Sequence, residues 1–333
     1  MKTGLYAITL NSEDCIEQWY SVAQQADRSV VVDVGSTDDT VNRLRNLGVT
    51  VLELQVAPWR FDVAANAAVA LFADSVDVCV YLAIDEFMTA SWRDLLDQHW
   101  FAGATKVLHG YVLGYDTEIN SMIRSTTSRI HAAVGHTWRG RTNNILLGPK
   151  DQMVISIPDL VIYNEQPWQG ERVRYEIELL KSDIEQYPSC LRTLYTLCMT
   201  LARKHEKDEG SRLSAGQKDA IEHLQLFLDR SDPSLAYERG MVHWQLSRYL
   251  IHEKLRQLLL SIAEYPISRE PWLDLCEFYV QQEDWSNAYS ASMSCLAIRD
   301  RVANAYEDPC AWSQRPEELR RLTLSRLKER ISP

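Results

Sequence analysis

One stretch decides the fold of this chain: VVVDVGSTDDT, residues 30–40. Its β-branched residues predict a short buried strand, Gly35 permits a tight exit, and Thr37 or Asp38 can cap the helix that follows. Asp33 then lies at the carboxyl end of a strand, which is where open α/β sheets bind their ligands. The stretch therefore predicts a nucleotide-binding edge, although an ordinary strand, turn and capped helix would give the same pattern.

The composition is that of a folded globular protein. The chain has 333 residues, of which 46% are hydrophobic and 24% charged, and this length predicts about two domains. The apolar runs fall far short of the roughly 18 residues that a membrane-spanning helix needs, and the amino terminus lacks the long apolar core of a signal peptide. We therefore expect no membrane span and a cytoplasmic location.

The cysteines and the net charge narrow the function further. Seven cysteines are scattered singly, which is typical of small buried side chains in a reducing compartment. The net charge of -11 argues against a broad surface for nucleic acid or anionic membrane, since either would need many basic residues. A local basic groove remains compatible with that charge, and its candidate residues are Arg124, Arg129, Arg139 and Arg141.

The hydrophobic pattern divides the chain in two. The first part alternates strand and helix patterns in βαβ order, and short β-like runs separated by Gly, Asn and Pro follow it as far as Tyr163. Beyond Gly170 the pattern is almost wholly helical, with breaks at prolines. We therefore predict an α/β domain over 1–168, a mostly parallel sheet with helices on both faces, followed by an all-α domain over 169–333.

The C-terminal pattern has the spacing of tetratricopeptide helices. Residues 271–288 place an aromatic residue, a leucine and a small residue on one helix face, and an echo of that spacing begins at Leu194. The charged segment 204–218 contains two glycines and predicts an exposed loop. A generic helical bundle would satisfy the same pattern.

Several motifs arrive in the order found in one enzyme family. They are TLNSED at 9–14, VDVGSTDDT at 32–40, PWRFD at 58–62 with Asn66, LAIDE at 82–86 with WR at 92–93, WRGR at 138–141, and REPW at 269–272 with DW at 284–285. Together they resemble the family 2 glycosyltransferases of the GT-A fold, in the subgroup with a C-terminal helical-repeat extension. The resemblance covers nearly the whole chain. It implies a GT-A (Rossmann-like) domain, a tetratricopeptide-like extension, and transfer of a sugar from a nucleotide-diphosphate sugar to an acceptor hydroxyl.

The resemblance also assigns residues to the donor site. In such enzymes, the turn after the first strand and the acid at the end of the second hold the base and ribose of the nucleotide sugar. Carboxylates suit this role because they accept hydrogen bonds from base N–H groups and ribose hydroxyls. Asp38 is equally well explained as a helix cap. The nucleotide-sugar residues predicted in this way are Thr9, Asn11, Asp33, Ser36, Asp38, Arg60, Asp62 and Asn66.

A metal site is implied where the family carries its DxD motif. Asp85 occupies the last acidic position of that motif, so the resemblance makes it the ligand of Mn²⁺ or Mg²⁺ and, together with Glu86, a candidate catalytic residue. A divalent cation would offset the charge that develops on the leaving diphosphate. A solvated acidic turn is the alternative for this pair. If the reaction inverts the sugar, Glu86 or Asp116 is a candidate base.

The acceptor side is predicted around WRGR. Aromatic rings stack on sugar faces and arginines pair with anions, although packing at the domain interface is the slightly favoured alternative for Trp138. The predicted acceptor-side residues are Trp138, Arg141, Asn143 and Asn144. The acceptor itself stays open between a glycan, a protein, a small molecule and, least favoured, nucleic acid, and the helical domain is a candidate for binding a protein partner.

Three departures from the family pattern remove charge from one site. Ala83 occupies the position of the first acid of DxD, and Ala65 the position of the arginine that often precedes the family's equivalent of Asn66. Asn143-Asn144 replace the usual His-Glu pair. Asparagine keeps hydrogen-bonding capacity but takes no proton at neutral pH. The second hypothesis is therefore a non-catalytic nucleotide-sugar-binding or scaffold protein. The candidates to replace the lost ligands are His131 and His136.

Two other enzyme classes are disfavoured. Neither the G-x-G-x-x-G fingerprint of dinucleotide-binding dehydrogenases nor the G-x-x-x-x-G-K phosphate loop occurs in the sequence. The sequence therefore argues against a dehydrogenase and against a phosphate-loop enzyme.

Overall fold

The computed structural model describes residues 1–72, 75–116, 121–142, 145–164, 170–205, 213–299 and 309–331. The chain divides into two units, Met1–Trp168 and Gln169–Pro333. The first unit contains a sheet with helices, and the second is built from helices. The predicted α/β class with a following helical region is confirmed.

Ten strands are present among the described residues of the first unit. Their bounds are β1 Thr3–Thr9, β2 Arg28–Asp33, β3 Thr50–Glu53, β4 Val78–Tyr81, β5 Glu86–Met88, β6 Lys106–Asp116, β7 Ser121–Ala132, β8 Thr137–Arg139, β9 Ile145–Leu147 and β10 Val154–Asn164. Eight of them form one sheet in the order β3-β2-β1-β4-β7-β6-β10-β5, and β8 pairs with β9. The first four in that order are parallel, so β2, β1 and β4 end at a common edge.

Helices cover both faces of this sheet. They are α1 Ile16–Ala23, α2 Thr40–Asn46, α3 Phe61–Ala70 and α4 Trp92–His99. Leu5 and Ala7 of β1 share a core cluster with α1, α2 and α4, whereas Tyr6 lies in the cluster that contains α3. Because side chains alternate along a strand, Thr9 and its neighbour Asp33 face the α1 side.

The hydrophobic pattern of the sequence predicts a helix over 40–46, a strand over 76–84 and a loop around Trp138 and Arg139. Helix α2 has the predicted bounds. The strand is shorter than predicted, Val78–Tyr81, because the chain leaves the sheet to form the turn that carries Ala83 and Asp85. Part of the predicted loop forms β8, which pairs with β9.

The second unit contains eight α-helices in the part of the chain that the structure describes. They are α5 Gly170–Gln186, α6 Leu191–His205, α7 Ala215–Arg230, α8 Ala236–Tyr249, α9 Lys254–Glu264, α10 Arg269–Gln281, α11 Trp285–Ala297 and α12 Arg315–Ile331. Two apolar clusters hold them, one around Leu197 and Leu224 and one around Trp244 and Cys276. The segment predicted as tetratricopeptide-like forms the pair α10 and α11, and its assignment as a repeat stays a prediction.

The exposed loop predicted over 204–218 is wrong at its end. Residues 206–212 lie outside the described residues, but α7 already begins at Ala215. A capping box opens this helix, since Ser214 and Gln217 each accept a backbone N–H of the other. No helix in the described ranges has both the length and the apolar character needed to cross a membrane.

Candidate functional site

The ends of β1 and β2 place two buried polar side chains next to each other. Thr9 is the register partner of Asp33 in the parallel ladder. The N–H of Val34 then donates to the Thr9 carbonyl at 3.0 Å, which keeps the strands paired up to their last residues. Thr9 and Asp33 are each 2% exposed. The edge predicted from sequence therefore contains a buried hydroxyl beside a buried carboxylate.

Only one oxygen of the Asp33 carboxylate has a partner. Oδ1 accepts the N–H groups of Gly35 and Ser36, each at 3.0 Å, and the φ of 118° at Gly35 is one that glycine adopts readily. Among the described residues, Asp33 Oδ2 and Thr9 Oγ1 are buried and accept or donate no hydrogen bond. Buried polar atoms nearly always have partners, so this pair of oxygens is the leading candidate for contact with a ligand.

The loops that follow β1 and β2 are tied together by side chains predicted to bind the nucleotide. Asn11 donates its N–H to Ser36 Oγ at 2.8 Å, and Asn11 Oδ1 accepts the N–H of Thr37 at 2.7 Å. Asn11 has a φ of 50°, in the left-handed region that asparagine tolerates better than most residues. The structure thus gives Asn11 and Ser36 partners within the protein, where they fix the shape of the two loops.

Asp38 serves as a cap between the same loops. Its Oδ1 accepts the N–H of Thr40, the first residue of α2, at 3.1 Å, and its Oδ2 accepts the N–H of Glu13 at 3.3 Å. The hydrogen bond with the Thr40 side chain lowers the pKa of the Asp38 carboxyl. Of the two roles left open by the sequence, the contacts of Asp38 are those of a cap.

Three further residues predicted to hold the nucleotide sugar form a clamp between α3 and β8. Asn66 donates to the Trp138 carbonyl at 3.0 Å and accepts the Trp138 N–H at 2.9 Å. Asp62 accepts the N–H of Gly140 at 3.1 Å and is bound by Arg60 through Nε at 2.9 Å and Nη2 at 2.7 Å. Burial raises the pKa of Asp62, but the hydrogen bonds from Arg60 and the Gly140 N–H and the charge of Arg60 together outweigh it, so the net pKa is lowered. These contacts hold β8 and the residue that follows it against the N-terminal half of α3.

Trp138 packs in the core. It is 2% exposed, its Nε1 donates to the Tyr6 hydroxyl at 2.5 Å, and the rings of Phe61 and Tyr81 lie 5.4 and 5.8 Å from it. Its predicted contact with the acceptor is therefore corrected, because the buried indole has no open face on which a sugar could stack. Arg141 is half-buried, and its carbonyl accepts the N–H of Phe61 at 3.2 Å.

Some predicted residues cannot be placed. The acceptor-side residues Asn143 and Asn144 lie outside the described residues, and so do the side chains of Arg124 and Asp116.

Glu86 lies at the end of the β4 turn with both oxygens engaged. Arg129 Nη1 donates to Oε1 at 2.8 Å and to Oε2 at 2.7 Å, the Tyr111 hydroxyl donates to Oε1 at 2.9 Å, and the Ala83 N–H donates to Oε2 at 3.0 Å. Burial raises the pKa of Glu86, but the charge of Arg129 and the hydrogen bonds from Arg129, Ala83 and Tyr111 together outweigh it, so the net pKa is below its ordinary value. A saturated carboxylate of lowered pKa is a weak proton acceptor, so these contacts favour positioning over the predicted catalytic role.

Asp85 lies in the same turn and is half-buried. Burial raises the pKa of the Cys15 thiol, and the negative charge of Asp85 raises it further, so Asp85 lies within electrostatic range of the connection between β1 and α1. Asp85 thus lies in the turn after β4, at the edge where β2, β1 and β4 end.

The predicted metal site lacks a set of ligands. No three His, Cys, Asp or Glu side chains that could hold a metal gather among the described residues. Ala83 offers no ligand atom, and Glu86 uses both oxygens on protein donors, which leaves Asp85 as the one motif acid suited to a cation. Mg²⁺ and Mn²⁺ favour several oxygen ligands, so the described residues do not by themselves fit a resident divalent ion.

The two histidines suggested as replacement ligands lie in the core on the α3 side. His131 is hydrogen-bonded through Nδ1 to the Ala132 carbonyl at 2.8 Å and through Nε2 to the Tyr6 hydroxyl at 3.2 Å. Burial lowers the pKa of His131 to about 3. The His136 ring lies beside it at an interplanar angle of 40°, with ring centres 5.1 Å apart. Because both nitrogens of His131 already have partners, the pair does not form a metal site.

Sequence reasoning missed one side chain of this edge and undervalued another. Tyr111 was not singled out, and Arg129 appeared only as part of a basic groove. The signal that could have found Arg129 is its place in β7 directly before Ile130 and His131, because a charged side chain next to the core must be paired.

Comparison with known proteins found no matching family model and no matching curated protein. Among solved structures, S. aureus TarS is similar at 15% identity and a TM-score of 0.42, over 77% of this chain and 55% of that chain. TarS 1-349 in complex with UDP-GlcNAc is similar at 14% identity and a TM-score of 0.42, over 77% of this chain and 90% of that one.

A third similar structure covers a smaller part. It is glucosyl-3-phosphoglycerate synthase from Mycobacterium tuberculosis in complex with Mn²⁺, UDP and glucosyl-3-phosphoglycerate, at 26% identity and a TM-score of 0.28, over 33% of this chain and 44% of that chain. The chain therefore spans about half the length of the full TarS structure, 55%. Its function is accordingly inferred from its own residues.

Proposed function

We propose that this protein is a glycosyltransferase that moves a sugar from a nucleotide-diphosphate sugar to an acceptor hydroxyl. One observation carries the proposal: Asp33 Oδ2 and Thr9 Oγ1 are buried without partners among the described residues, at the ends of adjacent parallel strands. A carboxylate oxygen accepts an N–H or O–H, and a hydroxyl can also donate. That combination suits a base N–H or a ribose hydroxyl of a nucleotide.

Asp85 and Glu86, the other two acids of this edge, are proposed to have different roles. Asp85 is the proposed catalytic carboxylate, because it lies at the end of β4 and, unlike Glu86, is only half-buried. Glu86 is proposed to position the turn through its bonds to the Ala83 N–H and Arg129. Asp85 is also the side chain that would contact a divalent cation bound with the diphosphate, and such a cation would add charge stabilisation.

The helical unit is proposed to bind the acceptor or a protein partner. Its tetratricopeptide-like pair α10 and α11 belongs to a class of repeat that forms protein-binding surfaces when stacked. The acceptor classes stay those that the sequence predicts: a glycan, a protein, a small molecule or, least favoured, nucleic acid. A cytoplasmic location is proposed because the seven cysteines are scattered singly along the sequence, as is typical of proteins in a reducing compartment.

A nucleotide-sugar-binding protein without turnover is the second candidate. Two observations favour it: Ala83 stands in the place of the first acid of the metal motif, and Glu86 has no oxygen left to accept a proton. Turnover separates the two candidates. The transferase should slowly hydrolyse at least one nucleotide sugar, and Asp85→Asn should abolish the hydrolysis, whereas binding without turnover supports the second candidate.

The binding proposal is tested by titration calorimetry with UDP, GDP and CDP. The wild type should bind one of them, and Asp33→Asn should weaken that binding about tenfold or more, since a hydrogen bond to a charged group is lost. The matched control is Asp77→Asn, a carboxylate at the opposite edge whose Oδ2 accepts the Lys2 N–H at 2.7 Å. Absence of binding to any of the three, or equal affinity of wild type and Asp33→Asn, would contradict the proposal.

A further inference from the structure

The guanidinium of Arg129 is held at the end of β4, next to the turn with Ala83 and Asp85. Arg129 precedes Ile130, the register partner of Val80 near the end of β4. Its guanidinium carbon lies 5.4 Å from the centre of the Tyr81 ring and 4.7 Å from that of the Tyr111 ring. Glu86 binds the guanidinium through Nη1, and the two aromatic rings lie beside its plane. These contacts together fix the orientation of the guanidinium.

The hydrogen-bond donors of Arg129 are divided between two directions. Nη1 donates to both oxygens of Glu86. No described residue accepts a hydrogen bond from Nε or Nη2, and neither is among the buried polar atoms that lack a partner. The side chain keeps 17% of its surface exposed. The Nε and Nη2 edge is therefore fixed in place and available to an anion from outside.

We infer that Arg129 binds the diphosphate of the nucleotide sugar and supplies positive charge that the family resemblance assigns to a metal. The inference rests on the proposed function. A guanidinium edge matches two phosphate oxygens with two parallel N–H bonds and stays charged at any working pH. The metal motif has Ala83 where a ligand would stand, so the fixed cation and the lost acid occur in the same turn region.

The charge is needed at the moment of transfer. The bond between the anomeric carbon and the diphosphate oxygen breaks, and its electron pair stays on the diphosphate. The acceptor oxygen forms the new bond to the anomeric carbon and gives its proton to a carboxylate. Arg129 would stabilise the negative charge on the departing diphosphate, while Glu86 keeps the buried cation paired in the absence of ligand.

The test compares the affinity for a nucleoside diphosphate with the affinity for its nucleoside, once in EDTA and once with Mn²⁺. The nucleotide is the one that binds the wild type, and titrations use wild type, Arg129→Lys and the double variant Glu86→Gln with Arg129→Gln. Arg129→Lys keeps the buried charge and the double variant keeps the region neutral, so neither leaves an unpaired charge. Arg93→Lys is the control, because Arg93 pairs with Asp27 and Asp97 away from this edge.

In EDTA the wild type and Arg93→Lys should bind the diphosphate at least about tenfold tighter than the nucleoside. In both Arg129 variants the diphosphate should lose most of its advantage in affinity over the nucleoside, and the affinity for the nucleoside should stay unchanged. A ratio that appears only with Mn²⁺ and is unchanged in the Arg129 variants would overturn the inference and leave the proposed function standing. Failure of the wild type to bind any nucleotide would overturn both.

Discussion

Two carboxylates at one edge of the sheet are equally buried and unequally satisfied. Asp33 and Glu86 are each 2% exposed. Glu86 receives hydrogen bonds on both oxygens, whereas Asp33 Oδ2 receives none from the described residues. Burial and motif position therefore do not distinguish the two acids. They differ in whether each carboxylate oxygen accepts a hydrogen bond from the protein. A satisfied acid holds the protein in shape, whereas the unsatisfied one is the acid that we propose contacts the ligand.

The largest effect that would test this comparison is on stability. Glu86→Gln should lower the free energy of unfolding by about 3–5 kcal/mol, because it leaves Arg129 buried without its counter-charge. Asp33→Asn should change it by less than about 1 kcal/mol, since Oδ1 can still accept the Gly35 and Ser36 N–H groups. Urea denaturation measures both. Similar losses in the two variants would remove the distinction between them.

Glu86 should contribute a defined part of the acid dependence of stability. Its folded pKa is lowered from the ordinary 4.5, so its stabilising contribution is complete above that value and is lost as the pH falls towards the lower folded pKa. Below pH 4.5 the free energy of unfolding should fall by up to about 1.4 kcal/mol per pH unit from this group. Denaturation at several pH values measures it. The double variant Glu86→Gln with Arg129→Gln should lack this part of the slope, and an unchanged slope would contradict the assignment.

The clamp between α3 and β8 should be structural. Asn66→Ala removes the two hydrogen bonds with Trp138 and should cost about 1–2 kcal/mol of stability. Nucleotide affinity, measured by calorimetry at a temperature where the variant is folded, should stay within twofold of the wild type. A loss of affinity as large as that of Asp33→Asn would return Asn66 to the nucleotide site predicted from sequence.

The smallest expected effect is at Thr9. Thr9→Val keeps the shape of the side chain and removes a hydroxyl that has no partner among the described residues, so stability should rise or stay within about 1 kcal/mol. Nucleotide affinity should fall in the same variant. Thermal denaturation with and without the nucleotide reports both quantities. A clear loss of stability would mean that the hydroxyl is already satisfied in the folded protein.

The sequence predicted the parts of this picture that depend on local pattern. The strand, glycine turn and helix at 30–40 and the position of Asp33 follow from β-branching, a turn residue and a cap, which act over a few residues. The partners of the edge residues could not be predicted in that way. Arg129 is 43 positions from Glu86, and Trp138 is 72 positions from Asn66, so their contacts arise only when distant strands and helices meet.

The roles of individual residues also depend on contacts that a local pattern does not show. Asn11, Ser36 and Asp38 were assigned to the nucleotide because they occupy motif positions, but the structure connects them to neighbouring backbone groups. A motif records which residues are near a site, and it does not distinguish those that contact the ligand from those that shape the loops around it.

The most direct test of the central claim is a crystal structure of the protein with the nucleotide that binds it best. A ligand N–H or O–H should lie within about 3.2 Å of Asp33 Oδ2, with Thr9 Oγ1 also in hydrogen-bond contact with the nucleotide. A nucleotide bound elsewhere, with Asp33 Oδ2 still lacking a partner, would contradict the claim.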